Sequence, residues 1–266
     1  MNPAKPDSTP AAESIIYEQP LTERVRTFLR LKFLLSQTEQ YAEPHSSWDS
    51  RMAIAGLLEI ADMLARGNAR AEALKELDSQ IGVLALLRDN PEVDNPRLLE
   101  VLERLEKLKQ QLSSRTGPIG QGLRDNEFLS TIKHRTAIPG GTCEFDLPGY
   151  HFWLSKPNTK RAADVADWLK ELAPLHEAIS LLLDLNRQSA DPVERTAEGG
   201  VFQHNMQNQP NCQLIRVILP ASSKVFPEIS GGRHRVTIRF FDRPDMNARP
   251  RQVDYDVDFQ LMLCHL

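Results

Sequence analysis

A change of period constrains this chain more than any other feature. Up to about residue 190, apolar side chains recur every three to four positions; beyond about 195 they alternate. The first spacing lays an apolar stripe along a helix, and the second gives a strand one apolar face. A first helix is expected after Pro20 with Thr22 as its N-cap, and a second from Ser46 or Ser47, with Asp49 three residues after Ser46 as an imperfect capping box, to a stop at Gly67. Asn68 caps a third, carrying Leu74, Leu77, Ile81 and Leu84 and stopped by Asn90-Pro91. Asn95-Pro96 opens a fourth, whose Leu98, Leu102, Leu105, Leu108 and Leu112 stand near heptad spacing. That stripe reads either as ordinary bundle core or as a seam for a partner helix.

A short helix is expected over about 126–135. Pro-Gly-Gly at 139–141 and Pro148-Gly149 predict a hairpin of Thr142–Asp146 with Tyr150–Leu154. A long helix follows from Asn158 or Thr159 through Val165, Leu172, Ile179 and Leu183, kinked or restarted at Pro174. Expected strands are Val201–Gln203, Gln213–Leu219, Arg233–Phe241 and Val253–Leu261. In the last, Tyr255, Val257, Phe259 and Leu261 face one side and Asp254, Asp256 and Asp258 the other. The fold class is therefore α+β: an N-terminal α-helical bundle with a returning long helix (15–135 and 158–190), plus an antiparallel β-sheet domain (136–157 and 191–266). Residues 1–14, rich in Pro, Ala and Ser, are expected to be a disordered tail.

Among 266 residues, 32 basic against 36 acidic side chains give a net charge of −4, with 41% hydrophobic residues, so a packed globular core is affordable. Cys143, Cys212 and Cys264 form no CxxC, which argues against a disulfide framework or zinc ribbon and favours a reducing compartment. No apolar run reaches about 18 residues, so no membrane span is expected. The first residues lack the apolar core of a signal peptide, so a cytoplasmic location is expected.

Catalytic motifs are missing. There is no HExxH, GxSxG, Walker A sequence or strand-borne GxGxxG, and the seven His show no metal-ligand spacing. Gly117–Gly122 spell GPIGQG but follow no strand. No catalytic residue, metal or cofactor is expected. The informative residues are arginines, whose planar fork matches carboxylate and phosphate. Residues 230–251 hold six Arg against Asp242 and Asp245. Arg26 and Arg30 lie one turn apart on the first helix, with Glu23 placed to pair with Arg26. Arg233, Arg235 and Arg239, at even separations, share one strand face, with Val236, Ile238 and Phe240 on the other. This is a carboxylate-binding ridge, unless Asp254, Asp256 and Asp258 lie on the neighbouring strand and neutralise it. Nucleic acid is the rival anion. The pI near 6.0 and the lack of an RNA- or DNA-binding motif argue against it.

Several collinear segments resemble one family. Ile16–Leu21 (IYEQPL), Arg26–Arg30 (RTFLR), Leu74–Asp78 (LKELD), Ile119–Arg124 (IGQGLR), Ile138–Leu154 (IPGGTCEFDLPGYHFWL), Asp184-Leu185 with Arg187–Ser189 (DL, RQS) and Ile229–Phe240 (ISGGRHRVTIRF) resemble the ZapD (YacF) family of cell division proteins. The resemblance runs from about residue 15 to about 260. It implies a non-enzymatic cytoplasmic factor at the mid-cell division site, made of a helical and a β domain. As a homodimer, such a factor binds the C-terminal tail of FtsZ and crosslinks its filaments into the Z ring. The family's basic tail pocket, where the first helix meets the sheet, would map to Arg26, Arg30, Arg124, His151, Arg233, Arg235 and Arg239. One family basic position is Glu127 here.

Overall fold

A computed structural model describes residues 14–43, 45–207, 209, 211–232 and 234–265. Of the expected tail over residues 1–14, residues 1–13 lie outside the described residues, as does Arg233, and Ser14 belongs to the first strand. The fold is α+β. In chain order it runs β1 (Ser14–Pro20), α1 (Glu23–Gln40), α2 (Ser47–Arg66), α3 (Ala69–Ala85), α4 (Asn95–Ser114), α5 (Gln121–Asp125), α6 (Glu127–Thr136), α7 (Pro148–Leu154), α8 (Asn158–Lys170) and α9 (Ala173–Gln188). Strands follow: β2 (Val193–Ala197), β3 (Val201–Asn205), β4 (Cys212–Pro220), β5 (Val225–Gly231), β6 (Arg235–Asp242), β7 (Arg251–Gln252) and β8 (Val257–His265). The chain divides into two compact units, Met1–Arg26 with Leu185–Leu266, and Thr27–Asp184.

In the helical unit, local chemistry sets the helix ends. Ser46 and Asp49 form a reciprocal capping box that starts α2, and Gly67 ends it. Asn68 caps α3. The cap of α4 is Asp94, one residue before the expected Asn95, because its carboxylate reaches the Arg97 amide. Leu98, Leu102, Leu105, Leu108 and Leu112 are all buried, with α4 packed on α3, so the stripe is core of its own unit and leaves no free seam. The returning helix breaks into α8 and α9 just before Pro174, as its ring requires.

The expected hairpin over Thr142–Leu154 is not formed. Pro148 sits in the first turn of α7, where its missing amide proton costs nothing. Leu147, Tyr150, Trp153 and Leu154 are buried at helical spacing, so the Pro-Gly pair opens a helix here instead of turning a hairpin. Segment 136–157 contains no strand and falls within Thr27–Asp184.

The other unit is a sandwich of two antiparallel sheets. One has the order β1-β4-β8-β2; the other has the order β3-β6-β5, with β7 beside β6. Strand β1 pairs with β4 from Ser14↔Pro220 to Pro20↔Leu214, so residues 14–20, ahead of α1, belong to the sheet. Strands β1, β2, β5 and β7 were not expected from the alternation. Alternate residues of both sheets fill one core, including Ile215, Val217, Ile238, Phe240, Phe259 and Leu261. Phe259 meets Phe202 and Phe240 across the sheets at ring-centroid distances of 5.3 and 5.2 Å. Each such side chain, fully buried, contributes about 1.5–3 kcal/mol.

Candidate functional site: arginines on each unit

Strand β6 follows its predicted alternation. Val236, Ile238 and Phe240 are fully buried, while Arg235 and Arg239 are exposed on the opposite face with Thr237 between them. Their cross-strand neighbours are polar or neutral: Asn205 opposite Arg235, Gln203 and Ser230 opposite Thr237, and Val201 opposite Arg239. Glu228, also opposite Arg239, is the acid of this row. Among the described residues, no hydrogen bond or ion pair engages the Arg235 or Arg239 guanidinium.

The acidic face does not neutralise them. Strand β8 lies in the other sheet, flanked by β4 and β2, so it is not a neighbour of β6. Asp258 accepts a hydrogen bond from Thr196 Oγ1 at 2.7 Å, and Asp256 accepts one from the Gly199 amide at 2.8 Å. The expected strand over Val253–Leu261 forms only from Val257, so Asp254, Tyr255 and Asp256 precede β8 and Tyr255 is exposed instead of joining the apolar face.

The outer face of the β1-β4-β8-β2 sheet treats arginine differently. Glu18 receives two hydrogen bonds from Arg187 at 2.8 Å each, and Arg216 Nε stands 3.0 Å from the same carboxylate. Burial pushes the Glu18 carboxyl up, but the hydrogen bonds and charges of Arg187 and Arg216 outweigh it and hold it below 4.5. Thiol chemistry is suppressed in this unit too. Burial pushes Cys212 up to about 12 and Cys264 up to about 11, so both are protonated at neutral pH.

Helix α1 carries Arg26, which pairs with Glu23 as its spacing predicts, and then Arg30 one turn on. Thr22 caps this helix through the Val25 amide at 3.3 Å. Arg30 is exposed. It lines a groove of about 510 Å³ between α1 and α2, with Thr27, Leu34, Asp62, Met63 and Arg66. Arg66 carries no motif and sits in the last turn of α2, so only the packing of the two helices brings it opposite Arg30.

The remaining candidates of the helical unit are held by their own neighbourhoods. Arg124 donates to Gln121 Oε1 at 2.7 Å and, more weakly, to the Ile119 carbonyl at 3.4 Å. His151, exposed on α7, has Nδ1 3.5 Å from a Glu144 carboxylate oxygen. Glu127 opens α6, where a negative charge suits the helix dipole. The glycines of GPIGQG serve packing. Gly120 has φ +76°, and its amide donates to Glu171 Oε1 at 2.7 Å. A Cβ on Gly122 would fall 2.7 Å from Glu171 Oε2. The protein's own carboxylate thus occupies the amide that a phosphate would want.

Among the described residues, no group of three or more His, Cys, Asp or Glu side chains is arranged to hold a metal ion. No helix among them is long and apolar enough to cross a membrane.

Residues 29–239 match the family model described as ZapD, cell division protein. The chain is 42% identical over 252 residues to a cell division protein ZapD from Methylococcus capsulatus, covering 95% of this chain and 98% of that protein. It is 39% identical over 250 residues to the ZapD of Chromobacterium violaceum, covering 94% and 99% of the two chains. Against the ZapD of Ralstonia pickettii it is 38% identical over 252 residues, with the same shares covered.

Proposed function

The chain belongs to the ZapD family of cell division proteins, and from that premise we propose that it is a cytoplasmic Z-ring factor that binds the C-terminal tail of FtsZ. As a homodimer it then crosslinks FtsZ filaments into bundles at mid-cell. It works by binding, with no catalytic step and no cofactor.

One observation carries this reading: Arg235, Arg239 and Arg30 are exposed, and no hydrogen bond or ion pair among the described residues engages their guanidinium groups. An exposed guanidinium without a protein partner stays solvated and can exchange its water for an anion at little desolvation cost. A mobile peptide bearing carboxylates fits, because each guanidinium can grip a carboxylate through two parallel hydrogen bonds. Arg26, Arg124, His151 and Arg233 complete the proposed contact set. Long-range attraction steers the tail in, and apolar contacts slow its departure. Two equivalent sites on a dimer hold two filaments, and linkage raises the effective concentration of the second contact.

Co-sedimentation with FtsZ polymers tests this. The protein is expected to pellet with full-length polymers and to increase their bundling, but to stay in the supernatant when FtsZ lacks its terminal peptide. The double variant Arg30→Glu, Arg239→Glu is expected to lose at least about tenfold in tail affinity, and raising salt should weaken the wild-type contact steeply. Unchanged tail binding by the folded double variant would overturn the arginine assignment. A monomer by light scattering at micromolar concentration would overturn crosslinking.

A further inference from the structure

Strands β1 and β2 end one sheet, and β3 and β5 end the other. An end strand offers a row of unpaired N–H and C=O groups to any extended chain, and short length, charge and proline discourage such pairing. Strands β2 and β3 have five residues each, and β2 carries Glu194 and Arg195. Strand β5 carries Pro227 and Glu228. Strand β1 is less defended. It has seven residues, and its proline is the last of them. Ile15 and Ile16 keep 38% and 45% of their exposure, and its one charge, Glu18, is drawn onto the outer face of the sheet by Arg187 and Arg216.

The pairing with β4 decides which backbone groups of β1 are open. The Leu21 amide donates to the Gln213 carbonyl at 2.8 Å, in step with the Pro20↔Leu214 pair. Antiparallel partners alternate between pairs that exchange both hydrogen bonds and pairs that exchange neither. Ile15, Tyr17 and Gln19 therefore turn their N–H and C=O groups to β4, and Ser14, Ile16 and Glu18 turn theirs outward. Pro20, which has no N–H to give, falls in the outward set. Strand β5 comes near at the Pro20 end, where Gly231 meets Leu21, while Ser14, Ile15 and Ile16 are exposed.

We propose that β1 pairs antiparallel with β1 of a second copy about a two-fold axis at Ile16, joining two four-stranded sheets into one. The outward residues are spaced for it. With Ile16 opposite its own copy, Ser14 falls opposite Glu18 and Glu18 opposite Ser14, so each of these pairs joins two outward-turned residues. This is the self-complementarity that a two-fold contact needs. Charge favours the same register. The two Glu18 positions lie about 14 Å apart along the strands, each beside a neutral serine. A slide that centres the axis on Glu18 sets like charges side by side, which is destabilising. The Ile16 side chains meet on the outer face, and each Ile15 lies opposite Tyr17 of the other copy. Such a contact between copies goes beyond tail binding and uses none of the residues assigned to the tail.

Amide hydrogen exchange of the full chain, resolved residue by residue over about a hundredfold range of protein concentration, tests the pairing. The Ile15 and Tyr17 amides, bonded to β4, should be protected throughout. The Ile16 and Glu18 amides should exchange fast when dilute and at least about tenfold more slowly when concentrated. Ile16→Pro removes an outward donor and no bond to β4, and an edge strand tolerates it. It should abolish the protection of Glu18 while Tyr17 stays protected. Ile16→Lys, which keeps the backbone donor and puts two like charges on the axis, should do the same. Fast exchange at Ile16 and Glu18 at every concentration, or protection of Glu18 that survives both substitutions, would overturn the pairing. A dimer seen by light scattering under those conditions would leave the homodimer reading standing. Protection that appears only when the FtsZ tail peptide is added would overturn the second copy as occupant and give the edge to an extended partner.

Discussion

The two outer faces of the sandwich carry arginines at similar strand positions and use them in opposite ways. On the β1-β4-β8-β2 sheet, the end of α9 lies over the face and brings Arg187 to Glu18, beside Arg216. These three side chains keep between 15% and 23% of their exposure. On the β3-β6-β5 sheet, Arg235 and Arg239 stand exposed, with Glu228 as the one acid opposite them in the register of the described strands and no ion pair formed among the described residues. What lies above the strand, rather than the residue type, decides whether a guanidinium is structural or available. A covered arginine needs polar partners for its charge, because desolvating an unmatched charge is costly. An uncovered one stays solvated and can exchange water for a ligand at little cost.

The helical unit repeats this division, and its most enclosed arginine gives the largest expected effect. Arg161 is buried, yet no carboxylate among the described residues pairs with it. Its guanidinium donates to Ser50 Oγ at 2.8 Å, to the carbonyls of Leu154 and Lys156 at 2.7 and 2.5 Å, and to Asn158 Oδ1 at 2.5 Å. It ties α2, the end of α7 and the start of α8 together. Arg161→Ala leaves those acceptors unmatched in a closed site and is expected to cost about 3 kcal/mol, read as a lower urea midpoint. Protein that remains folded should bind the FtsZ tail as wild type does. A loss of tail affinity without a loss of stability would break the division between enclosed and open arginines.

Next in size is Glu18. Its carboxyl titrates below 4.5 in the folded chain because Arg187 and Arg216 outweigh its burial. The unfolded chain therefore binds the proton first as pH falls. The stability this carboxylate contributes is fully present above about pH 4.5 and is lost as pH drops through the lower, folded value. Glu18→Gln removes the charge and is expected to cost about 2 kcal/mol at pH 7. Near pH 3, where wild type has lost part of the same contribution, the gap between the two should narrow. Paired urea titrations at the two pH values measure it; a gap that widens in acid would contradict the sign.

Elements with strong periodicity or matched caps were legible in the sequence. The capping box at Ser46, the stops at Gly67 and Pro174, and the alternation of β6 each follow from a local rule that the tertiary structure did not override. The edge strands β1 and β5 were not legible. A strand paired on one side needs no regular alternation, and β5 includes Pro227, which an edge position tolerates. The 142–154 segment was misread because Pro-Gly serves a turn and a helix start equally well, and the burial of Tyr150, Trp153 and Leu154 decided between them. Among the candidate residues, the exposure of Arg235 and Arg239 followed from strand period alone. Whether aspartates neutralised them depended on which sheet received β8, a long-range pairing that no local pattern encodes. Arg66 was invisible for the same reason.

The smallest expected effect is on stability at Arg239, and its smallness is the point. The side chain is exposed, unmatched among the described residues, and opposite Glu228 in a row where an opposite-charge cross-strand pair contributes about 0.2–1 kcal/mol. Arg239→Ala is therefore expected to shift stability by no more than about 0.5 kcal/mol, a change close to the scatter of a urea midpoint. Its FtsZ-tail affinity is expected to fall several-fold. Glu18→Gln should show the reverse: a clear stability loss with tail affinity kept. If Arg239→Ala instead lowers the midpoint as much as Glu18→Gln does, the outward face of β6 is structural and its arginines are not held in reserve for a partner. If both variants leave stability alone, the covered face is not load-dependent on its ion cluster, and cover above a strand does not decide what its arginines do.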